Sequence, residues 1–299
     1  MATALLFSGQ GSQYSGMGRK IYGENPAAYE KIFETAEKIL GFDIKKFMFE
    51  GTAEELAKTS VSQPAIFTMS LLCLEKFRLS GNGFAAVAGH SLGEYAAMVA
   101  SGMVDLETGY TLIKHRAACM EKAAVKNGGK MAAVLSGDTD LIEKICKEVT
   151  EGGNYVTPVN YNSNQQTVIA GSEKGIAEAS EKLTASGVKR IVPLAVAAAF
   201  HSEYMKEAGE EFRELIKDIE FKTPEKKFYS NVLGEELTDI SDIKDILSRH
   251  IYSPVKFTSE LKAMAEAEID NFVECGPGKT LVGLVKKTLE GVTSSAMDV

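Results

Sequence analysis

The chain has 299 residues, enough for one large core with room for a second, smaller one. Apolar residues make up 44% and charged residues 25%, the usage of an ordinary globular enzyme. A net charge of −8 withholds the basic surface that a nucleic-acid partner needs, and charges or glycines interrupt the apolar runs before any could span a bilayer.

The first residues carry no basic segment and lead straight into glycines, so residues 4–7 read as a buried strand and not as part of a signal peptide. A glycine-rich loop follows, Ser8-Gly9-Gln10-Gly11-Ser12-Gln13. Helical patterns cover 29–40 and 53–58. Gln63-Pro64 marks a helix start, because proline suits a first turn, and 65–79 is an apolar helix. A short apolar strand at 84–88 runs into Gly89-His90-Ser91-Leu92-Gly93, and helices follow at 94–100 and 106–124. Strands alternating with helices imply a mostly parallel, layered α/β sheet.

Residues 128–198 read differently. A strand at 131–135 precedes a helix at 139–149 with Asp138 as its N-cap. Strands at 156–161 and 167–170 are joined by an Asn/Ser/Gln turn. A helix at 174–185 ends at Ser186-Gly187, and a last strand covers 188–196. The order βαββαβ is that of a ferredoxin-like unit, here inserted (128–198) into a larger α/β unit formed by 1–127 and 199–299. Beyond it come a helix at 202–218, a strand at 227–230 and helices at 243–250 and 258–267. A strand at 269–274 ends in Cys275-Gly276-Pro277-Gly278, the last helix covers 281–289, and the tail from 294 to 299 is expected to fray.

The segment around Ser91 carries the chemistry. Strand, G-x-S-x-G, helix is the pattern of a nucleophile elbow, a sharp turn that lifts one serine hydroxyl onto the top of a sheet. Gly89 and Gly93 let strand and helix approach closely. The Leu92 N–H then faces an oxyanion formed during acyl transfer. The bare motif recurs by chance, and its flanking strand and helix are what give it meaning. A serine nucleophile needs a base, and histidine is the usual one. Of the four histidines, His90 adjoins Ser91 and points away from it, packing beneath the elbow. His115 shares a helix with Arg116, and only one of the two can face the site. His201 follows the small-residue run Ala197-Ala198-Ala199-Phe200 at the re-entry from the inserted unit, where clefts form. His250 sits late in the chain, where an α/β-hydrolase would place its base. These residues leave His201 and His250 as equal candidates. Cys73, Cys119, Cys146 and Cys275 are scattered without a C-x-x-C pair, which argues against a disulfide framework or a thiolate metal site and for a reducing cytoplasm.

Ordered landmarks extend along nearly the whole chain. They are Phe7-Ser8-Gly9-Gln10-Gly11-Ser12-Gln13, Gln63-Pro64-Ala65, Gly89-His90-Ser91-Leu92-Gly93-Glu94-Tyr95 and Arg116. Then come Val159-Asn160-Tyr161-Asn162-Ser163, Ala199-Phe200-His201-Ser202, Ser253-Pro254-Val255 and Glu274-Cys275-Gly276-Pro277-Gly278-Lys279. In these the chain resembles the malonyl-CoA:acyl carrier protein transacylases of bacterial fatty acid synthesis, a family that includes acyltransferase domains of polyketide synthases. The resemblance implies a hydrolase-like large subdomain with a ferredoxin-like insert. It implies Ser91 as nucleophile, His201 as base, and Arg116 as partner of the malonyl carboxylate. It also implies that Gln10 and the Leu92 amide line the oxyanion hole and that Asn160, Phe200 and His250 lie at the substrate site. Phenylalanine at 200 goes with malonyl over methylmalonyl, because the ring crowds a branching methyl. Many relatives carry glutamine where this chain has His250, and its backbone is expected to hold the catalytic histidine.

The implied reaction is ping-pong transfer of malonyl from malonyl-CoA to the phosphopantetheine thiol of acyl carrier protein, with no metal and no resident cofactor. An acyl hydrolase and a polyketide trans-acyltransferase are the alternatives on this scaffold, as is a non-catalytic docking scaffold. A monomer is expected. Acyl carrier proteins are acidic, as this chain is, so docking calls for a local basic patch. Lys189 and Arg190 are the candidates, with Lys286 and Lys287 behind them.

Overall fold

Strand β1 (Ala2–Phe7) is apolar on both faces, with Ala4 to Phe7 fully buried, as suits the middle of a parallel sheet. The computed structural model describes residues 1–196 and 198–298. In chain order the further strands are β2 (Ala86–Gly89), β3 (Lys130–Val134), β4 (Val156–Ser163), β5 (Gln166–Gly171) and β6 (Ile191–Pro193). They continue with β7 (Lys227–Ser230), β8 (Glu235–Glu236), β9 (Ile269–Cys275) and β10 (Thr293–Ala296). The larger sheet has the order β10-β9-β1-β2-β7-β8. All its neighbours pair in parallel except β7 and β8. Phe7 is level with Gly89 on one side and Cys275 on the other, so the glycine-rich loop, the elbow and the Cys275-Gly276 turn open at one edge. Ligands of open α/β sheets bind at that carboxyl edge.

The second sheet has the order β4-β5-β3-β6, is antiparallel throughout, and is covered by helices Thr139–Glu151 and Glu173–Ala185. This is the ferredoxin-like arrangement expected from βαββαβ. Its own core includes Ile142, Ile145, Val149, Ile169 and Leu183, each worth about 1.5–3 kcal/mol when fully buried. Asp138 caps the first helix by accepting from the Leu141 N–H at 3.0 Å. The segments that lead into and out of this sheet meet, the Ala199 N–H donating to the Gly128 carbonyl at 3.1 Å. A parallel bridge between Asn160 and Val255 joins the second sheet to the segment after helix Ile243–Tyr252.

Several elements depart from the sequence reading. The apolar helix starts at Thr59 and runs to Leu79, with Pro64 inside it. A proline there forfeits a backbone bond and costs about 3 kcal/mol, but nearly every side chain from Val61 to Leu74 is buried, and that packing prevails. Strand β6 is far shorter than 188–196. The Val188 N–H turns back to the Leu183 carbonyl to finish the helix, and Pro193 lies on the edge strand just before the last bond to β3, from the Leu194 N–H to the Met131 carbonyl at 2.9 Å. The tail does not fray through 298: Thr293–Ala296 pairs with β9, and the Asp298 carboxylate accepts from the Tyr14 hydroxyl at 2.7 Å and the Gly278 N–H at 2.8 Å. Val299 lies outside the described residues, as does Ala197 of the small-residue run. Residues 202–218 split into a 3-10 turn, Glu203–Met205, and a helix, Lys206–Leu215. Helices Arg19–Glu24 and Ile44–Glu50 were not anticipated.

Candidate active site

The elbow is as tight as its sequence requires. Ser91 has φ 53, a left-handed conformation that costs a residue with a side chain strain of order 1 kcal/mol or more. A Cβ on Gly89 would lie 2.0 Å from the Gly93 carbonyl carbon, and one on Gly93 would lie 2.0 Å from the Phe7 oxygen. Only glycine fits either position. Helix Gly93–Ala100 starts immediately, with Leu92 at its N-cap, so the Leu92 amide belongs to the positive end of a helix.

Donors and acceptors around Ser91 fix one another. The Ser91 Oγ lies 2.7 Å from His201 Nε2, and Arg116 Nη2 donates to the same oxygen at 3.0 Å. A guanidinium can only donate, so Oγ accepts from Arg116 and turns its own hydrogen to His201. His201 Nε2 is therefore the bare nitrogen, and Nδ1 carries the proton. That Nδ1–H faces the His250 carbonyl at 3.0 Å and the Ser253 carbonyl at 3.2 Å. Both oxygens belong to the C-terminal end of helix Ile243–Tyr252, where carbonyls lack helical partners and favour positive charge. His201 shares the left-handed backbone of the serine, with φ 60. Burial and the Arg116 charge push its pKa down to about 3, with the two carbonyls opposing them, so the ring is a neutral base at neutral pH.

Arg116 projects from helix Leu106–Asn127 and is 1% exposed. Its guanidinium stands 5.3 Å from the Tyr95 ring centroid, and its Nε finds no partner. Burial pulls its pKa down, and no ion pair to it exists among the described residues. A buried cation with a spare donor beside a nucleophile is a receptor for an anionic group. His115, its neighbour in the helix, is only half-buried and is not brought to the serine.

The other sequence candidates fall around this centre. Gln10 is partly exposed, and its Oε1 accepts from Gln63 Nε2 at 3.4 Å. Phe200 is buried beside His201, and Asn160 is buried on β4 at the bridge to Val255. The His250 side chain is fully buried and bonds to Asn231 at 3.1 Å, so this residue meets the centre through its carbonyl. His90 packs against Phe257 and bonds to Asn162 at 2.7 Å, beneath the elbow as expected. Lys189, Arg190, Lys286 and Lys287 are all exposed and form no ion pair among the described residues. Three buried residues went unforeseen: Asn231, Glu94 and Glu260, which lie together under the elbow. Glu94 stood in a quoted motif, but nothing in its neighbours marked it as buried. No His/Cys/Asp/Glu cluster able to hold a metal and no helix long and apolar enough to cross a membrane occur among the described residues.

The arrangement offers a nucleophile, an oriented neutral base, a helix N-terminus for an oxyanion and a cation for the far end of a short acidic group. Comparisons with known proteins agree with that chemistry. Residues 4–298 match the acyl transferase domain family. The chain is 41% identical to the malonyl CoA-acyl carrier protein transacylase of Bacillus subtilis, over 95% of this chain and 89% of that one. It is 36% identical to the Escherichia coli protein of the same name, over 99% and 95%. Among solved structures, an MCAT from Streptococcus pneumoniae matches with a TM-score of 0.93 at 37% identity, covering 98% of this chain and 95% of that one. A malonyl-transacylase in complex with the acyl-carrier protein of a type II PKS matches at 0.95 and 33% identity, covering 100% and 97%.

Proposed function

The chain belongs to the acyl transferase domain family, and from that membership and the geometry at Ser91 we propose that it transfers malonyl from malonyl-CoA to the phosphopantetheine thiol of an acyl carrier protein, in support of fatty acid synthesis. The observation that carries the reading is the convergence of His201 Nε2 at 2.7 Å and Arg116 Nη2 at 3.0 Å on one hydroxyl oxygen. His201 takes the Ser91 proton as Oγ attacks the thioester carbonyl. The Leu92 amide and Gln10 receive the oxyanion, a contribution of about 10²–10³ in rate per donor. The carbon–sulfur bond breaks, the imidazolium protonates the departing CoA sulfur, and malonyl remains as an ester on Ser91. In the second half, His201 takes the proton of the incoming thiol. The sulfur attacks the ester, and the Ser91 oxygen leaves with that proton.

Arg116 holds the malonyl carboxylate, which selects for dicarboxylic acyl groups, while Phe200 and Asn160 bound the acyl pocket and Phe200 disfavours a branching methyl. The chemistry draws on no metal or resident cofactor. Residues 128–198 form an inserted subdomain between 1–127 and 199–299, a division supported by the Ala199–Gly128 bond at its base. Lys189 and Arg190 contribute to carrier docking. We place the protein in the cytoplasm, a reading that four free, buried cysteines support.

The test is to incubate the protein with labelled malonyl-CoA, quench and digest it. Label is expected on the Ser91 peptide, to be discharged by carrier thiol faster than by water, and Ser91→Ala is expected to abolish both labelling and transfer. Absence of label, or full transfer by the alanine variant, overturns the reading. Rapid loss of the ester to water makes the protein a hydrolase.

A further inference from the structure

Asn231 follows β7 and is fully buried. Its side-chain amide makes four hydrogen bonds, and their directions are fixed. The Ser91 backbone N–H can only donate, so the atom 2.7 Å from it is Oδ1. The same oxygen receives His250 Nε2 at 3.1 Å. Nδ2 donates to the Gly89 carbonyl at 2.6 Å and to Glu260 Oε1 at 2.7 Å. One planar amide thus grips the turn on both sides of His90: the carbonyl of the residue entering it and the amide of the strained serine. The backbone of Asn231 is itself held, its N–H donating to Glu94 Oε2 at 2.8 Å and its carbonyl accepting from the Lys256 N–H at 3.0 Å. We propose that Asn231 is a positioning residue for the reaction, clamping Gly89 and Ser91 so that the serine keeps its left-handed conformation and its hydroxyl stays in line with His201 and Arg116.

The inference rests on Ser91 being the nucleophile. It goes further by assigning the elbow's geometry to an amide donor and an amide acceptor acting together, on a residue that touches no substrate. The groups around the amide are Glu94 on helix Gly93–Ala100, Glu260 on helix Phe257–Glu266 and His250 on helix Ile243–Tyr252, all fully buried. The Arg116 charge is felt by Glu94 and His250. An ionised carboxylate in place of the amide would face the Gly89 carbonyl and Glu260 with no hydrogen to give. A protonated one would keep the acceptor for Ser91 and regain one donor.

Asn231→Asp tests this directly. Its kcat for malonyl transfer, normalised to folded protein, is expected to fall about 100-fold at pH 8.5 and to recover about tenfold at pH 6, with KM for malonyl-CoA within about twofold of the parent. Each rate is taken relative to the parent at the same pH, because Glu94, which holds the Asn231 N–H, titrates inside this window in both proteins while His201 stays neutral. A wild-type rate at pH 8.5, or a loss that acid does not reverse, overturns the role of Asn231. If the parent itself carries no label on Ser91, it is the nucleophile assignment that falls. Should the variant not fold, amide exchange in the parent decides: a Ser91 N–H held by Asn231 exchanges as slowly as those of β1 and β2, and exchange at the rate of an exposed loop refutes the clamp.

Discussion

Replacing Arg116 with alanine separates recognition from chemistry. A malonyl carboxylate held as proposed on this guanidinium would make two charge-assisted hydrogen bonds, each worth about 1.5–3 kcal/mol, so their loss would amount to about 3–6 kcal/mol, or 10²–10⁴ in kcat/KM. Arg116 also donates to Ser91 Oγ at 3.0 Å, and losing that contact touches every substrate alike. The diagnostic is therefore a ratio: kcat/KM for malonyl-CoA over that for acetyl-CoA, each measured with saturating carrier protein. In the parent, an acetyl group leaves a cation that is 1% exposed without a counter-charge. In Arg116→Ala that penalty disappears, so acetyl transfer is expected to hold or rise while malonyl transfer collapses. A fall of both substrates by one common factor refutes the assignment and makes Arg116 a support of the serine alone.

Two further outcomes follow from the geometry. Gly89→Ala puts a Cβ 2.0 Å from the Gly93 carbonyl carbon, a backbone atom that cannot move aside, and is expected to cost about 3 kcal/mol or more in a denaturant melt, so an unshifted midpoint would contradict the packing. Stability should also decline on both sides of mild acidity. Burial pushes the Glu94 carboxyl up to about 8, so the folded chain holds a proton that the unfolded chain has released, and this stabilisation, complete below the ordinary glutamate value, is lost as pH rises through 8. His201 and His250 are held far below 6.5, so the unfolded chain takes up protons that the folded one refuses, and stability falls as pH drops below 6.5. Glu94→Gln, which keeps an oxygen for the Asn231 N–H, is expected to flatten the alkaline decline of Tm between pH 6 and 9. Parallel curves for variant and parent would remove Glu94 as its source.

What the sequence made legible was local or periodic. The elbow is a contiguous pattern, and at each of the two glycines that announce it a Cβ would lie 2.0 Å from a backbone atom. The order βαββαβ sufficed for the second sheet because few topologies accept it. Long-range pairing stayed hidden. The polar segment Thr293–Ala296 has no strand signal of its own and is ordered by β9 and by Asp298 reaching Tyr14. Pro64 misled because a local rule was outweighed by burial on all sides of its helix. Asn231 reaches Ser91 across 140 residues, and an asparagine after a strand reads as a turn. His201 and His250 could not be separated by residue type because both serve the centre, one with its ring and the other with a carbonyl that every residue possesses.

That carbonyl has a consequence for selectivity. A carboxylate on Nδ1 would supply His201 with a counter-charge, whereas two peptide oxygens orient the ring and offset little of the cost of charging it. The free protein therefore holds a weak base, depressed first by burial and next by the Arg116 charge. On the proposed reading, a malonyl carboxylate paired with Arg116 would offset that second cause and leave the first, so His201 would become more basic with the proper acyl group bound. A neutral acyl group does neither: it leaves Arg116 uncompensated and the base depressed. Charge recognition at the far end of the acyl chain and proton transfer at its near end are then one electrostatic event, centred on Ser91 Oγ, the atom that Arg116 and His201 share. Discrimination against acetyl should accordingly exceed what the two carboxylate bonds supply alone, because the same neutralisation acts on kcat as well as on binding.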